Sequence, residues 1–307
     1  MNRADLSPFF SRMNESANSV RWSQPPLAFE LCSSDTALLE RAALLFSPWR
    51  SDRPVTPLCR WRVEPLAGDC REQKNFWGIW SATSPDMLLC KETPEQALMG
   101  VEFLAVQALV EHPHGPLTLH GALVAKNGKG VVILGPREAG KSTLACALWQ
   151  RGWSLLCDDV ALIEIEHLTA RPTPRRVSLR RSSRVLLGED LWARILSSPS
   201  CDQTAEGCLF HPHEVSGQKH LDGTRLTTVI FLARRGSITA PARLRRLVPA
   251  HALFALLPYS NFAHLGDPQR GTRRLQPLAA DVPAYDLGRG PLGDMVESIE
   301  QVLAGAN

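Results

Sequence analysis

The chain of 307 residues is defined first by what it has little of. No apolar run approaches the ~20 residues that a helix needs to cross a bilayer, and the leading MNRADLSPFF has no apolar signal-peptide core. A cytoplasmic protein with no membrane partner is therefore expected. Basic residues exceed acidic ones by three, 34 against 31, too small an excess to draw nucleic acid by bulk charge. Eight cysteines are scattered without a Cys-x-x-Cys pair. Zinc-ribbon spacing is thus absent, and in a reducing compartment the cysteines read as small core hydrophobes. No internal repeat or low-complexity tract occurs, which sets repeat architectures aside. The remaining composition, 44% hydrophobic and 21% charged, is that of a globular chain long enough for one large or two modest domains.

Against this background the stretch Leu117 to Glu164 stands out. Gly135-Pro136-Arg137-Glu138-Ala139-Gly140-Lys141-Ser142-Thr143 satisfies the phosphate-loop spacing of a glycine, four residues, then Gly-Lys-Ser. It lies between an apolar run, VVIL, and a helical pattern, LACALWQ. A strand that feeds a helix N-terminus aims backbone N–H groups and the positive end of the helix dipole at one point, where an anion belongs. Lys141 would reach the β- and γ-phosphates of ATP, and the Ser142 hydroxyl would ligate Mg²⁺.

Two further signals flank the loop. Trp153 to Cys157 has strand length and ends in Asp158-Asp159, followed by the β-like run VALIEIE. If these runs lie beside the strand that leads into the loop, the acids come near the γ-phosphate, one to hold Mg²⁺ and one to take a proton from an attacking hydroxyl. Paired acids also occur in plain turns. Upstream, LTLHG and Ala122 to Lys126 turn at Asn127-Gly128-Lys129-Gly130 into Val131 to Leu134, the signature of a hairpin. His120 in that strand reads either as a hydrogen-bonded core histidine or as a residue of the site.

The run LHGALVAKNGKGVVILGPREAGKSTLACALWQRGWSLLCDD resembles the catalytic core of the HPr kinase/phosphorylase family and its HPr-kinase-related serine kinases, whose nucleotide fold is similar to that of phosphoenolpyruvate carboxykinase. The resemblance implies that His120 lies near the reacting phosphate and that Gly135, Gly140, Lys141 and Ser142 form the phosphate loop. It further implies that Asp158 deprotonates the substrate serine and that Asp159 associates with the metal. The family's usual Ser-Gly is replaced by Arg137-Glu138, and neither a Glu-Ile-Arg-Gly nor a Gly-Arg-Asn segment is found. The chain thus looks like an HPr-kinase-related protein rather than the bifunctional enzyme. LFHPHEV, LLPYSNFAHLGD and PAYDLGRGPLGDMVESI extend the resemblance loosely towards residue 307.

Elsewhere the signals are weaker. The first 25 or so residues, rich in Ser and Asn, read as a poorly ordered lead. DTALLERAALLF predicts a helix, Arg60 to Glu64, Phe76 to Trp80 and Met87 to Cys90 predict strands, and Thr93 opens a helix that ends before Pro113. That helix is apolar enough to be buried and is expected to pack on the sheet of the catalytic domain. Arg171 to Arg184, RPTPRRVSLRRSSR, holds six arginines, which suit a phosphate clamp or a solvated strand edge. Within it, Arg180 follows a Ser-Leu pair as a basic residue does in the related proteins. Aromatic residues do not interleave there, which argues against a nucleic-acid platform. Pro199 to Gly223, with His211, His213 and His220, lacks zinc-site spacing and is expected to be a mobile loop. Thr227 to Ala233 reads as a strand turning at Arg235-Gly236, and helices are expected from Pro249 and over Leu292 to Leu303.

The whole predicts an α/β protein. Residues 113–307 form a mixed sheet with a phosphate loop, flanked by helices as in the HPr kinase C-terminal domain, and 1–112 form a smaller α+β accessory region for support, docking or dimerisation. The expected activity is ATP- and Mg²⁺-dependent phosphorylation of a hydroxyl, a serine of a protein or peptide, by His120, Asp158, Asp159 and Arg180, with Ser142 and Asp159 on the metal. The rivals are a metabolite kinase and a non-catalytic ATP-binding regulator. The sequence leaves open the acceptor, phosphorolysis, a homo-oligomer, and which acid is base and which is metal ligand.

Overall fold

The computed structural model describes residues 18–50, 59–66, 76–81, 84, 86–112, 115–233, 243–261 and 268–305. It divides into two compact units, Met1–Leu109 and Val110–Asn307.

The first unit is built on a sheet of β1 (Ser19–Gln24), β2 (Leu27–Cys32), β3 (Cys59–Leu66), β4 (Phe76–Ser81) and β5 (Met87–Lys91) in that spatial order. β2 and β3 run parallel and the other neighbours antiparallel. β1 falls where a disordered lead is expected; residues 1–17 of that lead lie outside the described residues. The strand forms because Trp22 pairs opposite Phe29 and stacks on Phe46, ring centroids 3.9 Å apart, an aromatic burial that outweighs the polar residues around it. Between β2 and β3, α1 (Thr36–Leu45) starts at the Asp35 side chain, which accepts the Leu38 N–H, and buries Leu38, Leu39, Ala42 and Leu45.

After β5, α2 (Pro94–Glu111) is capped by Thr93 Oγ1, which accepts the Gln96 N–H at 3.2 Å, while Gln96 accepts the Glu92 N–H. A Cβ at Gly100 would lie 2.8 Å from Ile79 Cδ1 and 3.2 Å from Leu89 Cδ1, so the glycine brings α2 down onto β4 and β5 of its own unit.

In the second unit, β6 (Leu117–Lys126) and β7 (Lys129–Leu134) form the expected hairpin, with Asn127 and Gly128 both at positive φ, 53° and 74°, as a type I′ turn demands. Then come α3 (Lys141–Gln150), β8 (Ser154–Cys157), β9 (Val160–Glu164), β10 (Thr169–Pro172) and β11 (Val177–Arg180). They are followed by α4 (Arg184–Leu187), α5 (Glu189–Leu196), β12 (Asp202–Gln203), β13 (Gly207–Phe210) and α6 (Pro212–Ser216). The unit closes with β14 (Thr224–Leu232), β15 (Leu244–Arg246), α7 (Pro249–Leu256), α8 (Pro268–Asp281), β16 (Ala284–Leu287) and α9 (Leu292–Gly305).

The main sheet of this unit is mixed, in the order β10-β9-β6-β7-β14-β16-β15, with β8 also on β6. β7, β14 and β16 run parallel, so their C-terminal ends share one edge, the edge where ligands collect in open α/β sheets. Side chains alternate with the pleat. Val131, Ile133 and Ile230 face α3, α5 and α9 on one side, while Val132, Leu134, Val229 and Phe231 face α7 and α8 on the other. With β11, β12 and β13 in a small antiparallel sheet, the architecture is mixed α/β with helices on both faces.

Two expectations change here. Pro199 to Gly223 holds β12, β13 and α6, because Cys208, Leu209 and Phe210 are buried in the core, so it is not a loop. The helix α8 has no counterpart in the sequence reading. The turn proposed at Arg235-Gly236 lies outside the described residues.

Candidate active site

β7 is buried from Gly130 to Leu134 and hands the chain to Gly135. A Cβ there would sit 3.0 Å from Leu232 Cβ and 3.2 Å from Leu232 O, so the loop begins flush against β14 and a side chain at this position would press on that strand. The loop then passes Pro136 and Arg137, turns at Glu138 (φ 66°), passes buried Ala139 and turns again at Gly140 (φ 95°) before α3 starts. Glycine adopts such angles freely, whereas a side chain in the left-handed region costs about 1 kcal/mol. The N–H groups of the first turn of α3 have no partner within the helix and face the mouth of the loop.

Lys141 is bent back over this loop, its Nζ donating to Gly135 O at 2.9 Å and Pro136 O at 3.3 Å. Burial pulls its pKa below the usual lysine value, and the charges of Asp159 and Asp158 oppose that pull. Ser142 Oγ donates to Asp158 Oδ2 at 3.2 Å, and Thr143 Oγ1 lies 2.8 Å from Ser183 Oγ.

The acids occupy the bend between β8 and β9. Both strands pair with β6, at Leu123↔Cys157 and His120↔Val160. The acids therefore follow strands that lie beside β6, the hairpin partner of β7, rather than beside β7 itself. His120 Nδ1 lies 3.2 Å from Asp159 Oδ1, while Arg175 Nη1 donates to Asp159 Oδ2.

Electrostatics separate the two acids. Asp158 is buried, and desolvation, reinforced by the charge of Asp159, raises its pKa to about 7 against the pull of Arg175, the Ser178 N–H and the Ser142 hydroxyl. Asp159 keeps about a third of its side chain exposed. Burial also lowers the His120 pKa, opposed by Asp159 and aided by Lys141 and Arg175. Half of that ring is open to water, which limits the descent. Near neutrality the ring is thus uncharged. With its proton on Nδ1 towards Asp159 it presents the Nε2 lone pair.

The arginine segment is dispersed rather than clustered. Five of its six guanidinium groups meet different carboxylates: Arg171 with Glu164, Arg175 with Asp159, Arg176 with Asp202, Arg180 with Glu138 and Arg184 with Glu189. Only Arg175 and Arg180 reach the loop and the acids. Arg180 Nη1 donates to Glu138 Oε1 at 2.8 Å, with both side chains about half exposed.

Sequence reasoning passed over Arg175 as an individual residue and Arg289 altogether. Arg289 follows β16 and donates to Ala139 O at 3.1 Å, which clamps the loop backbone from the neighbouring strand end. The signal available was its place just after a strand parallel to β7. The rings of His211 and His213 lie tilted at 5.3 Å and those of His213 and His220 edge-on at 5.6 Å, and burial lowers the His213 and His220 pKa values, the latter to about 4.

Among the described residues, no group of three or more His, Cys, Asp or Glu is arranged to hold a metal. Ser142, Asp158 and Asp159 nonetheless offer hard oxygen donors. That set is too small for an all-protein cage, but it suits Mg²⁺, which takes one or two carboxylates and completes its shell with water and substrate phosphate.

A family model described as SynChlorMet cassette protein ScmC matches residues 88–181, a range that includes His120, the loop, both acids, Arg175 and Arg180. None of the curated proteins matches the chain. Among solved structures, the Hpr(Ser) kinase/phosphatase from Coxiella burnetii is similar over 61% of this chain and 88% of that one, at 16% identity and a TM-score of 0.35.

Proposed function

We propose that the protein is an ATP-dependent phosphotransferase that moves the γ-phosphate to a hydroxyl, a serine of a protein or peptide. The observation that carries this reading is the hydrogen bond from Ser142, on the first turn after the Gly135–Gly140 loop, to Asp158, a buried acid whose pKa is raised to about 7. One contact thus joins a site suited to an anion with a group poised to accept a proton near neutral pH.

In this reading the loop N–H groups and the start of α3 receive the triphosphate, and Lys141 leaves the Gly135 and Pro136 carbonyls for the β- and γ-phosphate oxygens. Mg²⁺, with Ser142 and Asp159 as its protein ligands, would neutralise charge on the β- and γ-phosphates. Asp158 takes the proton of the acceptor hydroxyl as the oxygen attacks, its ionised fraction being substantial at pH 7. His120, held through Nδ1 by Asp159, directs Nε2 towards the transferring group. Arg175 holds Asp159 in place. Positioning and charge neutralisation supply most of the acceleration in such transfers. A serine acceptor rests on the motif resemblance of Leu119 to Asp159; a metabolite hydroxyl would use the same groups.

A second reading, ATP binding without transfer, draws on Glu138, a carboxylate set on the loop that must meet phosphate. Labelled γ-phosphate supplied as Mg-ATP to a lysate of the source cells separates the two. A labelled serine polypeptide, lost with Lys141→Ala and Asp158→Asn, is the expected result. Label confined to a small molecule would move the acceptor class. ATP binding without any label would leave the regulator.

A further inference from the structure

Glu138 is at once the loop's strained residue and its least expected charge. Its φ of 66° places a side chain where glycine is the easy choice, and its carboxylate holds Arg180 at 2.8 Å. Arg180 closes β11, a strand fixed on both sides of the site: Arg180 pairs with Gly207, while the Ser178 N–H bonds to Asp158. The Ala139 carbonyl, next to Glu138, is held by Arg289. The backbones on both sides of the Glu138–Arg180 pair are thus fastened, whereas the two side chains are about half exposed and within reach of an incoming anion.

From this we infer that Glu138 is a resident occupant of the Arg180 guanidinium, and that a polyphosphate takes its place. Arg180 is then a phosphate-contacting residue, and Glu138 sets the threshold for entry. This rests on the reading of the loop as a nucleotide site. A guanidinium fork accepts carboxylate and phosphate in the same planar geometry, so exchange needs no new donor. The exposed ion pair is weak, so a multiply charged triphosphate displaces the carboxylate while a small single anion gains too little to do so. The loop thereby favours polyphosphate over the inorganic phosphate and sulfate of its surroundings.

Titration calorimetry with Mg-ATP, and separately with inorganic phosphate, on the full chain tests the exchange. Glu138→Gln should tighten Mg-ATP on the order of 5-fold, the range of an exposed ion pair plus relief of like-charge repulsion, and make inorganic phosphate binding measurable. Adding Arg180→Ala to Glu138→Gln should then weaken Mg-ATP about 10-fold. This comparison in the Gln background excludes the artefact of an unpaired glutamate. Unchanged affinity on removing Arg180 in that background overturns the exchange, as does weaker binding in Glu138→Gln. Lys141→Ala serves as the reference for the nucleotide site itself. If wild type and Lys141→Ala both fail to bind Mg-ATP, the nucleotide reading falls and the exchange falls with it. If Lys141-dependent binding persists but ignores Glu138 and Arg180, the exchange alone falls.

Discussion

The Ser142 hydroxyl and the Asp158 carboxylate are 3.2 Å apart and join the first turn of α3 to the end of β8. The bond is local compensation for an unfavourable position. Asp158 is 8% exposed and has a second carboxylate as its chain neighbour. A buried acid that the fold would rather keep protonated is costly to stability and useful to chemistry.

Replacing Asp158 with asparagine should therefore separate stability from function. The raised pKa, about 7 against an ordinary 3.8, means that the folded state binds the proton more tightly than the unfolded chain. The stabilisation that this gives is full below pH ~4 and is lost as pH rises through about 7. Asp158→Asn, isosteric and neutral, should escape this loss. The variant should melt several degrees above wild type at pH 8 and near it at pH 4, with phosphate transfer abolished and Mg-ATP binding retained. Thermal unfolding at the two pH values, together with label transfer, checks this. A variant that melts lower at pH 8 would contradict the electrostatic account.

The same group predicts a pH profile. If Asp158 is the base, log kcat/KM should climb with unit slope below pH ~7 and level off above it, since that quantity reports the free enzyme. His120 adds no second rise near pH 7, because burial holds its pKa below the ordinary 6.5. Rates measured from pH 5.5 to 9 distinguish this from a profile that falls across neutrality.

Gly121, next to His120 on β6, leaves no room for a side chain. Its Cβ would lie 2.5 Å from Ile133 O and 2.6 Å from Leu134 Cδ2, inside the β6–β7 ladder where Gly121 faces Leu134. The backbone oxygen cannot turn aside, so Gly121→Ala must spread the strands at a cost of about 1–3 kcal/mol. His120 would move with them. A fall in the denaturant midpoint, together with reduced transfer per folded molecule, is expected. Unchanged stability would show that the strands give more easily than this contact suggests.

The legible parts of the sequence were those set by local chemistry. The Asn127-Gly128 turn and the Thr93 cap each need only neighbours in the chain, and they fold as their residue types require. What was missed depended on partners distant in sequence. Trp22 makes a strand of a polar lead through Phe46. Nothing local announces that Arg289 will reach Ala139, or that Arg175 and Arg180, five residues apart, will take the bend and the loop respectively. The two runs around the acids read as strands, but their partner stayed conditional, because a strand pattern predicts pairing and not which strand is joined; that partner is β6.

The arginine segment supplies the last test, because equal residue types there have unequal roles. Arg176 is fully buried, donating to Ser200 O at 3.0 Å and to Asp202, and it ties the start of β11 to the start of β12. Arg181 is exposed. Removing one partner of a buried pair strands the other charge, so Arg176→Ala should cost about 3–5 kcal/mol. Arg181→Ala should stay within about 0.5 kcal/mol, as surface changes do. Urea unfolding of the two variants measures the difference. Where Arg176→Ala still folds, its Mg-ATP affinity per folded molecule should match wild type, because the guanidinium is engaged with Ser200 O and Asp202. A selective loss of affinity without loss of stability would mean that the segment acts as one basic clamp, and the division of labour among its arginines would be wrong.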